Sequence, residues 1–327
     1  MQGDLIVIFG GSGFIGRHLV KALAKRGKRV RVAMRRPHLG HELRVLGDVG
    51  QVQLVQANVR FPESVARALE GASAAVNLVG LLYEKGSQKF GPVQADGART
   101  IAEAAKAAGV SRFVHVSAIG ADERSRSAYG LTKAQAEQAV RATLPTATIV
   151  RPSIVFGPED EFFNRFADMA KFSPALPLIG GGKTRFQPVY VQDVAEAIAN
   201  ALDRADAQGR TFELGGPSVY SFKQLLQFIL TTIERPRMLM PLPFGVAGTM
   251  GAFMDAAFRL NPFAGPPLTG DQVEMLKTDN VVGVTGDRSI GTIADLGVSP
   301  LETVEAIVPT YLWRFKPYGQ FETKQPA

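Results

Sequence analysis

The chain has 327 residues, 46% hydrophobic and 20% charged, with a formal net charge of +7. Such a composition is ordinary for a folded protein, and the length calls for two lobes or one domain with a large insertion. With no cysteine, disulfides, thiolate zinc sites, cysteine nucleophiles and cysteine-ligated iron–sulfur clusters are excluded. The four histidines, His18, His38, His41 and His115, show no metal-ligand spacing, so no metal is expected. The basic residues are scattered and no nucleic-acid motif accompanies them, which reads as a solvated surface and not a nucleic-acid face. An anionic lipid surface and an acidic protein partner stay open. The start, Met1-Gln-Gly-Asp, runs straight into LIVIFG without a charged leader or Arg/Ser-rich presequence. That is the start expected of a cytoplasmic protein with no cleaved address.

In chain order, DLIVIFG is a short apolar run ending in glycines, as a buried parallel strand should. A helix is predicted over Phe14 to Lys25, where Ile15, Leu19, Val20 and Leu23 recur at helical spacing. Strands follow at 29–34 (RVRVAM) and 52–59 (VQLVQANV), then a short helix near Glu63–Leu69 and a strand at 74–80 (AAVNLVG). A long helix covers about 93–108, a fifth strand 112–118 (RFVHVSA), then a helix carrying Tyr129 and Lys133, and a sixth strand 146–152 (TATIVRP). This alternation predicts an α/β fold: a doubly wound parallel sheet of the Rossmann, dinucleotide-binding kind. After Pro152 prolines and glycines become frequent and a smaller mixed lobe is expected over 153–186 and 217–327. Residues 1–152 form the first domain, to which about 187–216 return as a helix (188–202) and an edge strand (211–216).

GGSGFIG, directly after the first strand, places Gly10 in a tight turn, Gly13 where backbone must approach a pyrophosphate, and Gly16 where helix and sheet pack closely. Phe14 and Ile15 lie between them on the opening turn of the helix. An NAD site wants a carboxylate at the end of the second strand. The chain has Met34-Arg35-Arg36 instead, and the guanidinium of Arg35, with Arg36 beside it, suits a 2′-phosphate, which favours NADPH. Asn58 and Val59, ending the third strand, are placed to touch adenine.

From Leu5 to about Gly216 the chain resembles the short-chain dehydrogenase/reductase superfamily in its extended or atypical branch. The resemblance rests on GGSGFIG, Asn58-Val59, NLVG (77–80), Tyr129-x-x-x-Lys133, RPSIVFGPED (151–160) and PVYVQDVAEAI (188–198). Val79 and Pro152, in two of these motifs, complete the expected cofactor contacts. Within that branch it is similar to the dehydrogenase-like accessory subunit of respiratory complex I (alpha subcomplex subunit nine) and its bacterial relatives. The carrying stretches are 150–167, 178–195 and PPLTGDQVEMLKTDNVV (266–282), the last being the most distinctive. The resemblance implies bound NADPH, other complex I subunits as partners, and a structural or assembly role without turnover. It also implies a seat on the peripheral arm at the cytoplasmic face of a bacterial inner membrane. A related branch tied to ubiquinone biosynthesis keeps an NADP-dependent reductase or dehydratase of a hydrophobic substrate as the alternative.

Spacing of four puts Tyr129 and Lys133 on one helix face. In a working reductase of the superfamily the tyrosine protonates the carbonyl as hydride arrives, and the lysine lowers its pKa and holds the nicotinamide ribose. The third member is a hydroxyl after the fifth strand, where HVSAIG offers either Ser117 or, one residue on, Ala118. The two registers stay open, and with them the choice between a clasp on NADPH and an active site. Phe244, Ala247, Met250, Met254 and Phe258 mark one face of a helix, either packed on its own core or turned to lipid head groups. The tail 311–324, with Trp313, Phe315, Tyr318 and Phe321 among basic residues, suits a docking belt or a segment folded back on the protein. Lys183, Arg185 and Gln187 lie where related enzymes close over substrate, or meet a partner.

Overall fold

The computed structural model describes residues 4–259, with 257–259 as backbone only, and 268–319. The Phe258 side chain, residues 266–267 and the tail from 320 onward, Phe321 included, lie outside the described residues. The first half alternates strand and helix as the apolar pattern predicts. It comprises β1 (Leu5–Phe9), α1 (Phe14–Lys25), β2 (Arg29–Met34), β3 (Val52–Gln56) and α2 (Pro62–Leu69). Then follow β4 (Ala74–Asn77), α3 (Asp96–Ala107), β5 (Arg112–Val116), α4 (Ala128–Thr143) and β6 (Thr148–Pro152). The second half continues with β7 (Val155–Phe156), α5 (Phe163–Phe172), β8 (Ala175–Ile179), β9 (Arg185–Phe186), β10 (Val189–Tyr190) and α6 (Val191–Asp203). It ends with β11 (Thr211–Leu214), β12 (Tyr220–Ser221), α7 (Phe222–Thr232), β13 (Met238–Leu242), α8 (Phe244–Arg259), α9 (Gly270–Met275) and β14 (Gly291–Thr292) before short helical turns.

Eight strands make one sheet in the order β14-β11-β6-β5-β4-β1-β2-β3, every pair parallel. β1 is buried along its whole length, which is why it reads as an unbroken apolar run. Ile6 and Ile8 share a core with Leu19 and Leu23 of α1 and Ile198 of α6. Val7 and Phe9 join Leu69, Ile101 and Val140, from α2, α3 and α4. Side chains alternate across a strand, so one apolar strand feeds both helical layers. The chain order reverses between β1 and β4, and a doubly wound sheet opens its binding crevice beyond the strand ends at such a point. A separate core around Phe163, Phe186, Phe222 and Leu226 holds the second lobe.

The structure departs from expectation in two places. Residues 211–216 are not an edge strand, because β14 pairs outside β11 with Phe212 opposite Gly291 and Glu213 opposite Thr292. Ile293, Leu296 and Val298 behind it enter the sheet's core, so 291–298, assigned from sequence to the smaller lobe, run along the sheet. A two-residue strand leaves no period for a pattern to register. The helix expected from 93 opens instead with a wide, π-type turn at Gly91–Ala95. That turn lets Gln94 reach both ways, accepting from the Leu81 N–H at 2.9 Å and donating to Thr132 Oγ1 of α4 at 2.9 Å.

A charged network crosses from α4 to β11 along the wall of the crevice. Arg151 of β6 grips the Glu137 carboxylate of α4 with two bonds of 2.8 and 2.7 Å, and lies 3.9 Å from Glu213 of β11. Glu213 also accepts the Gly283 N–H at 2.8 Å. Both carboxylates are buried, so the guanidinium is what makes their charge tolerable. Arg151→Met is expected to destabilise the fold by about 3–5 kcal/mol, read as a lowered urea midpoint. Replacing Arg151 and both glutamates together by apolar residues should recover much of that loss.

Candidate functional site

β1 stops at Phe9 because Gly10 turns with φ +81°, the left-handed region that favours glycine. A Cβ there would stand 3.1 Å from the Leu78 carbonyl carbon, and one at Gly16 only 2.5 Å from Gly11 Cα. Gly16 thus lets the helix close on the loop's own backbone, and not on the sheet as expected. Gly13 caps α1 with extended backbone, and no acidic residue stands in the first turn. The leading N–H groups of α1 have no partner within the helix, which leaves a positive pole facing the crevice.

A single cleft of about 1890 Å³ runs from this loop under the second lobe. Gly10, Gly13, Phe14, Ile15 and Gly16 line one end. Ser117, Tyr129, Lys133 and Pro152 line its middle. The other residues singled out, Arg35, Arg36, Asn58, Val59 and Val79, are not on its wall; they follow the ends of β2, β3 and β4. Arg35 and Arg36 are exposed. Among the described residues neither is in an ion pair. The Asn58 side chain accepts the Arg60 N–H at 3.2 Å, closing its own turn. Val59 sits against Gly97 of α3.

Lys133 is buried and its Nζ donates to the Val116 carbonyl at 3.1 Å, 5.8 Å from the centre of the Tyr129 ring. Burial lowers its pKa to about 8, against the opposing pull of the Glu137 carboxylate. Tyr129 moves the other way, to about 12, through burial and then the negative Asp271. A phenol held there is a weak proton donor at neutral pH. Ser117 is only 3% exposed, and its Oγ has no hydrogen-bond partner among the described residues. Ala118 is the more exposed of the two, and both line the cleft. His115, two residues earlier in β5, bonds Asn77 across the sheet at 3.1 Å. Burial and the neighbouring Lys133 hold it down to about 3, so it is neutral. Its Nε2 is, with Ser117 Oγ, the other unpaired buried side-chain atom among the described residues.

Residues that sequence reasoning did not single out hold these groups in place. Asp271, at the start of α9, reaches across to α4: its carboxylate accepts Ser127 Oγ at 2.9 Å, Ala128 N–H at 2.6 Å and Tyr129 N–H at 3.2 Å. Ser127 itself caps the helix by accepting from the Gly130 N–H. The carboxylate therefore lies at the positive end of the helix that presents Tyr129 and Lys133. Nine residues on, Asn280 Oδ1 accepts from Ser153 Oγ at 2.7 Å and the Ile154 N–H at 3.0 Å. Its Nδ2 donates to the Ile119 carbonyl at 3.3 Å. Arg185 and Gln187 serve the same stretch: Arg185 pairs with Asp279 at 2.7 Å, and the Gln187 carboxamide accepts the Val282 N–H at 3.0 Å. They anchor a strap over 269–283, a use the sequence reading did not foresee. The spacing Asp271…Asn280 inside the most distinctive stretch was the available signal.

The apolar helix also resolves. Ala247 is buried and Phe244 is packed on the second core, whereas Val246, Met250 and Phe253 are exposed. In the tail, Tyr311 and Phe315 fold back into the same core, Tyr311 donating to buried Asp160 at 2.5 Å. Trp313 and Tyr318 stay exposed. Among the described residues no His/Asp/Glu cluster could hold a metal, and no helix is long and apolar enough to cross a membrane.

A parallel sheet with a glycine-rich first turn, a crevice beyond its strand ends and a Tyr–Lys helix beside it is the short-chain dehydrogenase/reductase class of fold. Residues 6–215 match the NAD dependent epimerase/dehydratase family, and the chain belongs to it. Among curated proteins, mouse NADH dehydrogenase (ubiquinone) 1 alpha subcomplex subunit 9, mitochondrial, is 36% identical over 100% of this chain and 85% of its own length. The Arabidopsis thaliana protein of that name is 38% identical over 86% of this chain and 72% of its own. A ceramide reductase of Caulobacter vibrioides is 34% identical over 84% and 85%. The solved dTDP-glucose 4,6-dehydratase of Streptomyces venezuelae, with NAD and TYD bound, shares the fold at TM-score 0.69 and 20% identity, over 97% of this chain and 99% of that one.

Asn280→Ala takes the side-chain acceptor from the Ile154 N–H and the donor from the Ile119 carbonyl, while the Ser153 hydroxyl keeps the Asn280 backbone carbonyl at 2.9 Å. The substitution is expected to cost about 1–3 kcal/mol in chemical unfolding. Asp271→Ala should cost about 0.5–2 kcal/mol by loss of the cap, with amide exchange accelerated first at 128–131.

Proposed function

We propose that this protein is a cofactor-holding accessory subunit of a respiratory complex I, clasping NADPH and stabilising the peripheral arm near the membrane without turnover of its own. The observation that carries this reading is the state of the Tyr–Lys pair. Lys133 is engaged with a backbone carbonyl, and the Tyr129 phenol is raised by burial and by the Asp271 carboxylate. This is a geometry for gripping a ribose more than for delivering a proton. Similarity to the mouse and Arabidopsis subunits over most of the chain supports the setting. The outer face of α8, with Phe253 75% exposed beside Val246 and Met250, and edge strand β13, with exposed Met238 and Met240, support a peripheral contact with lipid or a membrane-embedded subunit.

In the bound state the Gly10–Gly16 loop and the α1 N-terminus hold the pyrophosphate. Arg35, with Arg36 beside it, meets the 2′-phosphate, and Lys133 and Tyr129 hold the nicotinamide ribose. The cofactor would supply a hydride; this chain's residues orient it and screen it from water. The second reading is an NADP-dependent reductase. Its specific support is the unpaired Ser117 hydroxyl in the cleft, together with the Caulobacter reductase relative.

Tagged protein drawn from its host's membranes in mild detergent should carry NADH:quinone oxidoreductase subunits and activity with it, in wild type and in Tyr129→Phe alike. Recovery only as a free protein that oxidises NADPH, with turnover lost in Tyr129→Phe, would establish the reductase instead. Arg35→Ala should weaken NADPH binding by about tenfold while leaving NADH binding nearly unchanged, measured by calorimetry. NADPH affinity should fall as pH rises through about 8, the value to which burial lowers Lys133, because the ammonium then gives up its proton and one donor to the ribose. Lys133→Met should bind more weakly at pH 7 and show no such decline.

A further inference from the structure

We propose that the half of the cleft under the second lobe is a binding site for the long hydrocarbon chain of a lipid amphiphile, with its polar head beside Ser117, Tyr129 and Lys133. The cleft, at about 1890 Å³, exceeds the roughly 300–1,000 Å³ of a usual small-molecule pocket. There is room for a dinucleotide along the glycine loop and a second ligand end to end with it. Beneath the second lobe the wall includes Phe162, Phe166, Met169, Leu242, Met254 and Leu276, with charged Glu161, Arg165 and Glu274 between them. Each of the apolar residues is only partly buried, and all of these but Met254 pack on the second core. The Phe162 and Phe166 rings rest on buried Phe222 at 6.1 and 5.5 Å, which fixes an aromatic wall. The thioethers opposite are flexible and accept chains of varied shape.

Two further observations choose the occupant. Ser117 Oγ is a buried hydroxyl without a partner on a residue that lines the cleft, and an unmet buried donor calls for a polar group arriving there. Met250 lines the cleft and is exposed on the outer face of α8, so the apolar arm opens onto the apolar surface of the lobe. A polar head, a long apolar chain and entry from an apolar surface together describe a lipid. The proposal rests on the reading of this cleft as the chain's ligand site, and holds whether or not the head reacts.

The test is fluorescence titration of the full chain with cis-parinaric acid in saturating NADPH, with NADPH binding followed by calorimetry on the same samples. Saturable, stoichiometric binding is expected. Met169→Glu and Met254→Glu, which place a carboxylate in the arm, should weaken it by about tenfold or more and leave NADPH binding intact. Phe253→Glu, on the outer face, should leave it unchanged. If Met169→Glu fails to fold by circular dichroism, Met254→Glu at its partly exposed position carries the comparison. Displacement by palmitate or by farnesol supports the site and tells whether it takes acyl or prenyl chains. NADPH binding without parinaric binding overturns the lipid site and leaves the cofactor reading standing. Parinaric binding that only Phe253→Glu weakens overturns it too, by moving the probe to the surface.

Discussion

The carboxamide of Asn280 holds the two halves of this molecule in register. The chain leaving β5 and β6 exposes backbone and hydroxyl groups that the sheet cannot satisfy, at Ile119, Ser153 and Ile154. One side chain meets all three, accepting twice and donating once. Only a group with both an oxygen and an amine can do this; an aspartate there would have no hydrogen to give Ile119. Around that point the strap 269–283 is tied to α4 by Asp271, to β9 by the Asp279–Arg185 pair, and to β11 by the Gly283 bond to Glu213. The crevice, the Tyr–Lys helix and the second lobe all take their positions from this stitching.

Electrostatics within that frame set the protonation of the Tyr–Lys pair. Two terms compete at Lys133: burial, which disfavours the ammonium, and the Glu137 carboxylate, which favours it. Burial is the larger, and the Glu137 carboxylate is also bound by Arg151. At Tyr129 burial and the Asp271 carboxylate act in the same direction. The contact that caps the helix therefore also keeps its tyrosine neutral, and one residue serves both the fold and the electronic state of the site.

Much of this was legible in the sequence, and the reasons are local. The run LIVIF reads as a doubly covered strand because both its faces are buried, and the glycine loop is visible because a turn and a close approach leave no room for side chains. The family was legible from the same motifs. The outermost strand was not, since Gly291 and Thr292 form a ladder only because β11 stands beside them. Ser117 and Ala118 were both on the page, yet which of them is buried depends on how β5 ends against β6. The roles of Arg185 and Gln187 were misjudged because their partners, Asp279 and Val282, lie almost a hundred residues away.

By itself, then, the sequence determined the parallel sheet, its covering helices, the phosphate loop and the pairing of Tyr129 with Lys133 on one face. Those follow from apolar period, glycine geometry and a spacing of four, all of which act over a few residues. The tertiary structure alone decided that α4 is capped from the second lobe, that Lys133 is buried beside a neutral histidine, and that an apolar arm opens next to the unpaired Ser117 hydroxyl. Hydrogen bonds across more than a hundred residues and the burial of groups between the two lobes have no local pattern, and they exist only once the halves are packed together.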